Sequence, residues 1–292
     1  MRQSIRVIGI VIAFGAAALA QDARNNMLTD EEKAAGWTLL FDGKGAPGMR
    51  GVQKREPFKA GWQIKDGELI LPKEIKNLGK ITGGDLTTAE TFLDFEFSFD
   101  WKLAVSSNTG IRYLVRMGSN NSVVGCEYQI IDDVHHPEGL KGGPLRRTGA
   151  LDGIIAPSAD KQLNEPEQWN RGRIVVQGNH VEHWLNGAKV VEFELGSRAL
   201  MSSAQTARVK VPTGFGSKFK SAIVILDQGD EFTMRNLKLR KLPPAVAPIA
   251  GPVPALLAPA REAAPDAPSP ARRHPPVGAP TPPLAPTPPD LK

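Results

Sequence analysis

The sequence predicts an all-β fold, a two-sheet sandwich or jelly roll, on three observations. Apolar residues recur with period two, turn dipeptides separate those stretches at hairpin spacing, and sustained helical periodicity is nearly absent. About a dozen strands with so little helix must bury their apolar faces against one another, which calls for two packed sheets.

The elements follow in order. Residues 37–41 form a first strand. Residues 62–65 and 68–71 flank Asp66-Gly67, a pair suited to a tight primed turn. Over 93–103, Leu93, Phe95, Phe97, Phe99, Trp101 and Leu103 alternate with Asp94, Glu96, Ser98, Asp100 and Lys102, so one face is buried and one wet. A polar turn at 106–110 leads to 111–117, where Ile111, Tyr113, Val115 and Met117 share a face opposite Arg112, Leu114 and Arg116. Further strands are expected at 124–131, at 173–177 and 181–185 around Gly178-Asn179, at 190–195 after Asn186-Gly187, and at 222–226. In the last strand, 232–240, Phe232 and Met234 take one phase and Leu237 and Leu239 the other, which predicts a β-bulge near Arg235-Asn236. Only 28–35 and 197–204 carry weak helical patterns.

The two ends have other compositions. Residues 1–20 open with Arg2 and Arg6, run apolar from Val7 to Leu19 and end in Ala18-Leu19-Ala20, the pattern of a cleaved secretory signal. A secreted or periplasmic location is therefore expected, with no membrane span after cleavage. Residues 21–35 are a lead-in and 36–242 the domain. Residues 243–292 hold seventeen of the 25 prolines and no aromatic residue, a composition expected to stay disordered because it cannot bury enough apolar surface to order itself.

Cys126 is the only cysteine, so an intramolecular disulfide is excluded. It falls on the apolar face of its strand with Tyr128 and Ile130, as an inert buried thiol does. Without Arg2 and Arg6 the net charge of +5 falls to +3, and basic residues are interspersed with acidic ones. Nucleic acid is therefore not an expected partner. No nucleophile elbow, phosphate-binding glycine loop, dinucleotide fingerprint or His-Glu-x-x-His is present.

The chemically dense stretch is 127–137. Glu127 and Gln129 share a strand face, Asp132 and Asp133 stand where the strand becomes a loop, and His135 and His136 follow. With Arg112 and Arg116 on a neighbouring strand, that face gathers groups suited to sugar hydroxyls, to acid–base chemistry and to a divalent cation. The plainer reading is a solvated Glu–Arg pair and exposed loop histidines. His180 and His183 flank an ordinary hairpin and rank lower.

These residues also carry a resemblance. Gly36-Trp37-Thr38-Leu39-Leu40-Phe41-Asp42-Gly43-Lys44, Trp62 to Leu69, Asp94-Phe95-Glu96-Phe97, Asn108-Thr109-Gly110-Ile111, Glu127 to Asp132 and His136-Pro137 come in that order. Arg147-Thr148-Gly149-Ala150-Leu151, Trp169-Asn170, Trp184-Leu185-Asn186-Gly187 and Arg235 to Leu239 complete the set. The chain thus resembles, over 36–242, the secreted bacterial 3-keto-disaccharide hydrolase family. The resemblance implies a concanavalin-A-like jelly roll and cleavage of oligosaccharides or glycosides oxidised to a ketone at C3. It implies Glu127, Asp132 and His136 as acid, base or ligands of a divalent metal ion, and Asn108, Arg112, Gln129 and Arg147 as substrate-binding residues. Three positions depart from the family pattern. Gln228 stands where a histidine is common, Thr109 where serine is, and Asp152 where an aromatic residue is. The Gln228 departure leaves open a noncatalytic, carbohydrate-binding module of the cell envelope, and the proline-rich tail leaves open an envelope scaffold.

Overall fold

The computed structural model describes residues 25–52, 61–73, 84–117, 123–211 and 214–245. The expected signal segment and nearly all of the proline-rich tail lie outside the described residues.

The elements run α1 (Asp30–Ala34), β1 (Thr38–Leu39), β2 (Met49–Gly51), β3 (Gln63–Lys65), β4 (Glu68–Leu71), β5 (Leu86–Thr88), β6 (Phe95–Leu103), β7 (Asn108–Met117) and β8 (Val123–Ile131). Then come α2 (Pro137–Lys141), β9 (Asn170–Gln177), β10 (His180–Leu185), β11 (Ala188–Glu194), α3 (Arg198–Thr206), β12 (Val224–Ile225) and β13 (Phe232–Lys241). One antiparallel sheet has the order β11-β10-β9-β6-β13-β4-β3, with β1 also paired to β13; the other has the order β2-β5-β12-β7-β8. The two sheets form a jelly-roll sandwich, so the expected all-β fold stands.

The core is the interface between them. Phe95, Phe97, Phe99 and Trp101 from β6 are buried there with Ile111, Tyr113, Cys126, Tyr128 and Ile130 from β7 and β8. Phe99 meets Tyr128 edge-on at 5.6 Å, and Tyr128 Oη donates to the Trp184 carbonyl at 3.0 Å. His183 is a core residue too: its Nδ1 lies 3.0 Å from the Gly149 carbonyl and its Nε2 2.7 Å from Tyr113 Oη. Burial pushes its pKa down to about 4, so it is a neutral ring whose Nδ1–H donates to Gly149 and whose Nε2 accepts from Tyr113.

Hairpin chemistry follows the sequence. Asp66-Gly67 and Asn186-Gly187 both take positive φ, as a primed turn requires. The predicted bulge is present: the β13–β6 register shifts between Arg235 and Lys238, with Asn236 at φ 55°. A second bulge was not foreseen. The β7–β8 register shifts between Tyr113 and Arg116 around Leu114, at φ 50°. It reverses the expected phase, so Leu114 is buried in the main core and Val115 joins Val52, Val224 and Leu226 in a separate apolar cluster. The short strands β2 and β5 and helix α2 lack enough periodicity to be seen in the sequence.

Candidate active site

The sheet face opposite the core holds a polar hollow of about 510 Å³. Strand geometry places its floor. Arg112 on β7 is the direct cross-strand partner of Glu127 on β8, and Gly110 is the partner of Gln129. Alternation that sends Cys126 and Tyr128 inward sends Glu127 and Gln129 outward. Val52, Asp85, Asn108, Glu138, Arg146, Asp152, Leu226, Asp227 and Gln228 complete most of the lining.

Glu127 is the central group. Its side chain is 8 % exposed, and its Oε2 accepts from Arg112 Nε at 2.7 Å. Burial raises its pKa to about 7 against the opposing pull of Arg112, and the nearby Asp152 charge pushes the same way as burial. A carboxyl group that exchanges its proton near neutrality is poised for acid–base work.

The loop after β8 closes one side. It runs along β8 as an added edge, with Gly149 N donating to the Gln129 carbonyl at 2.8 Å and Asp152 N to the Glu127 carbonyl at 3.0 Å. This carries Asp152 and Arg146, paired at 2.6 Å, to the hollow. Asp152 Oδ1 also accepts from Gln129 Nε2 at 3.2 Å, and Gln129 Oε1 from the Ile130 N–H at 3.0 Å. Burial raises the Asp152 carboxyl although Arg146 opposes it. Opposite, Asp227 Oδ2 accepts from the Gly84 N–H at 2.8 Å and Asp85 Oδ1 from the Asp227 N–H at 2.9 Å. The Asp85 carboxyl is likewise raised by burial.

Asn108 supplies a further sign of a binding site. It is 5 % exposed, it lines the hollow, and its Oδ1 has no hydrogen-bond partner among the described residues. Buried polar atoms are nearly always satisfied in folded proteins, so an acceptor held this way awaits a donor.

Of the seven residues named from sequence, Asn108, Arg112, Glu127 and Gln129 meet in this hollow. Asp132 and Arg147 line a different depression, of about 260 Å³, with Trp101 and Lys161. Asp132 organises a loop: it accepts from the N–H groups of Ser106 (2.8 Å), Val134 (3.0 Å) and His135 (3.0 Å). Burial works against its ionisation, but these donors outweigh it and hold the carboxyl below the ordinary range. His136 caps α2 by accepting from the Glu138 N–H at 3.1 Å, and its Nε2 lies 3.8 Å from Asp230, whose carboxylate accepts the Asn108 N–H at 3.2 Å. It stands beside the hollow and is not part of its lining.

The expected metal set is corrected by the same geometry. Among the described residues the His, Cys, Asp and Glu group with converging ligand atoms is His180, Glu182 and Glu192, on the other sheet. Glu182 and Glu192 are already ion-paired to Lys189. The ligand atoms of Glu127, Asp132 and His136 do not converge on one point. Asp85, Glu138, Arg146 and Asp227 were missed from sequence because only folding brings their loops together. Asp152 and Gln228 depart from the family pattern, the signal the sequence carries for them, and both line the hollow.

Residues 36–240 match the family model described as a 3-keto-alpha-glucoside-1,2-lyase-like domain. A 3-keto-disaccharide hydrolase of Bacteroides thetaiotaomicron is 28% identical over 234 residues, covering 72% of this chain and 79% of that protein. A crystal structure from Parabacteroides distasonis, assigned as a glycosyl hydrolase, superposes with a TM-score of 0.65 at 29% identity, covering 75% of this chain and 100% of the other. A second one from the same organism superposes at 0.52 and 25% identity, covering 70% and 99%.

Proposed function

The chain belongs to the 3-keto-alpha-glucoside-1,2-lyase-like family, and from that premise we propose that it cleaves glycosides whose sugar carries a ketone at C3. The observation that carries the proposal is Glu127, a buried carboxyl with a pKa near 7, set on the floor of a polar hollow against Arg112. A ketone at C3 acidifies the C–H at C2. Glu127, once ionised, takes that proton, and the electron pair moves into an enediolate. The enediolate collapses to a C1–C2 double bond, expelling the oxygen substituent from C1, which leaves as an alcohol after gaining a proton. Addition of water across the double bond, hydroxyl to C1 and proton to C2, then gives net hydrolysis. No oxidant or reductant is consumed.

Each neighbour has a task in that scheme. Arg112 supplies positive charge beside the developing oxyanion, and the amides of Asn108 and Gln129 match ring hydroxyls. An ordinary glycosidase pair, which flanks an oxocarbenium-like transition state with two carboxylates, is not required. A module that only bound glycan would need the polar walls but not a carboxyl tuned to titrate near neutrality, which favours the enzymatic reading over the lectin-like one.

The test is a purified preparation given a 3-keto glucoside and its unoxidised parent. Release of the alcohol from the keto compound alone, slowed by deuterium at C2, is expected. Equal cleavage of both compounds, or no isotope effect together with inversion or retention by direct displacement, would overturn the scheme.

A further inference from the structure

Five carboxyls line the large hollow: Asp85, Glu127, Glu138, Asp152 and Asp227. Elimination needs two proton transfers, one from C2 and one to the oxygen leaving C1, and Glu127 accounts only for the first. The surroundings of the other four decide which can make the second. Both oxygens of Asp227 accept from backbone donors, Oδ2 from the Gly84 N–H at 2.8 Å and Oδ1 from the Gly229 N–H at 3.0 Å. Both oxygens of Asp152 are taken as well, Oδ2 by Arg146 at 2.6 Å and Oδ1 by Gln129 at 3.2 Å. Glu138 is exposed to water at the start of α2. Asp85 differs from all three. It is partly buried, its Oδ1 accepts from the Asp227 N–H at 2.9 Å, and its Oδ2 has no hydrogen-bond partner among the described residues. Burial raises its pKa against the Asp227 N–H and Arg112, and the Asp227 charge adds to the effect of burial.

The sheet also sets Asp85 across the hollow from Glu127. The strands run β5-β12-β7-β8, with Asp85 directly before β5 and Glu127 on β8. Three strand spacings of about 4.8 Å put roughly 14 Å between the two backbones, room for one pyranose ring between their side chains. The floor between them is low. Gly110 has no side chain, and Leu226, whose N–H donates to the Gly110 carbonyl at 3.0 Å, is buried. We infer that Asp85 is the acid that protonates the oxygen leaving C1, a catalytic residue facing Glu127 across the substrate. This role rests on the elimination reading above. Glu127 takes the proton from C2, and the C1–O bond breaks as its oxygen takes the proton from Asp85 Oδ2. The alcohol is then free and Asp85 is a carboxylate. When water adds, that carboxylate takes a proton from the water whose hydroxyl bonds C1, and Glu127 returns its proton to C2. Both groups end in their starting states, and one water is consumed.

The experiment gives the full chain the 3-keto glucosides of benzyl alcohol, a poor leaving group, and of 4-nitrophenol, which departs without help from an acid. With an acid in place, wild-type kcat/KM for the two should agree within about tenfold. Asp85→Asn keeps an acceptor for the Asp227 N–H, and melting temperature checks its fold. It should lose about 10²–10⁴-fold on the benzyl compound but less than about tenfold on the nitrophenyl one. In D2O it should still exchange the C2 hydrogen of the benzyl compound above the enzyme-free rate, because Glu127 is intact. A merely structural lesion would lose exchange along with cleavage. With C2 exchange seen in wild type, three results overturn the role of Asp85 and leave the elimination reading standing. They are a wild-type gap above about a hundredfold, equal losses on both compounds in Asp85→Asn, and undiminished benzyl turnover in that variant. If wild type neither exchanges C2 nor cleaves either compound, the elimination reading falls and Asp85 falls with it.

Discussion

A Cβ placed on Gly110 would run into Glu127 Oε1 and stand 3.0 Å from both Cδ and Cγ of that side chain. The absence of a side chain on β7 is therefore what gives the Glu127 carboxyl its place on the floor. Gly110 does not take positive φ, so alanine suits its backbone and the conflict is confined to the carboxylate. Gly110→Ala is expected to fold, with only a small change in melting temperature. A displacement near 1 Å at a reacting group costs about a hundredfold in rate, so kcat/KM on a 3-keto glucoside should fall at least tenfold.

Glu127→Gln removes the base while leaving its volume. Loss of a positioned general base costs about 10²–10⁴-fold in kcat/KM. The wild-type pH profile carries the matching signature. The base works when ionised, so kcat/KM should rise with pH through a midpoint of about 7 and level off above it. A rate already flat between pH 5 and 8 would take Glu127 out of that role.

Asp132 should behave in the opposite way. It holds three backbone N–H groups of its own loop and of the β6–β7 turn, so Asp132→Ala removes a charged acceptor that ties these segments together, at a cost of about 1–3 kcal/mol. Thermal unfolding should show that loss, while the folded fraction keeps kcat/KM within a few-fold of wild type. A collapse of turnover in a fully folded variant would return Asp132 to the catalytic set.

His183 makes the fold acid-sensitive in a defined window. It is neutral in the folded chain with a pKa of about 4, against 6.5 when solvated. Below 6.5 the unfolded chain gains a proton that the folded one refuses, so this stability is fully present above pH 6.5 and is lost as pH falls toward 4. The loss amounts to about 3 kcal/mol for this one group. His183→Gln, which cannot take up the proton, should be less stable at pH 7 because Tyr113 and Gly149 lose a well-placed partner. Its denaturant-derived stability should nevertheless fall less steeply than wild type between pH 6.5 and 4.

What the sequence could and could not convey follows from the range of each signal. Strand alternation is local, so Phe95 to Trp101 and Cys126 to Ile130 could be assigned to the core. The same period placed Glu127 and Gln129 on the outer face, and Arg112 with them. The Arg235-Asn236 bulge was visible as a phase change, whereas the one at Leu114 was not, because Leu114 and Val115 are both apolar and either phase reads alike. Nearness in sequence misled at Asp132, five residues from Glu127 but turned into its own loop. The opposite wall is built by Asp85 and Asp227, joined by a hydrogen bond from the Asp227 N–H to the Asp85 carboxylate across 142 residues of chain, and no periodicity reports such a pairing.

Asp152 offers a test of how the pKa of Glu127 is set. Its carboxylate adds to the effect of burial in making a charge on Glu127 unfavourable, and it also engages Arg146 at 2.6 Å. Asp152→Asn removes the negative neighbour that makes a charge on Glu127 unfavourable. The Glu127 pKa therefore falls and the acid limb of kcat/KM moves to lower pH. The asparagine Oδ1 still accepts from Gln129 Nε2, which preserves the positioning of that amide and separates the electrostatic effect from a structural one. Profiles of the two proteins from pH 5 to 9 measure the displacement. An unchanged midpoint would mean that burial alone fixes the titration of Glu127; an upward shift would place the titrating group elsewhere.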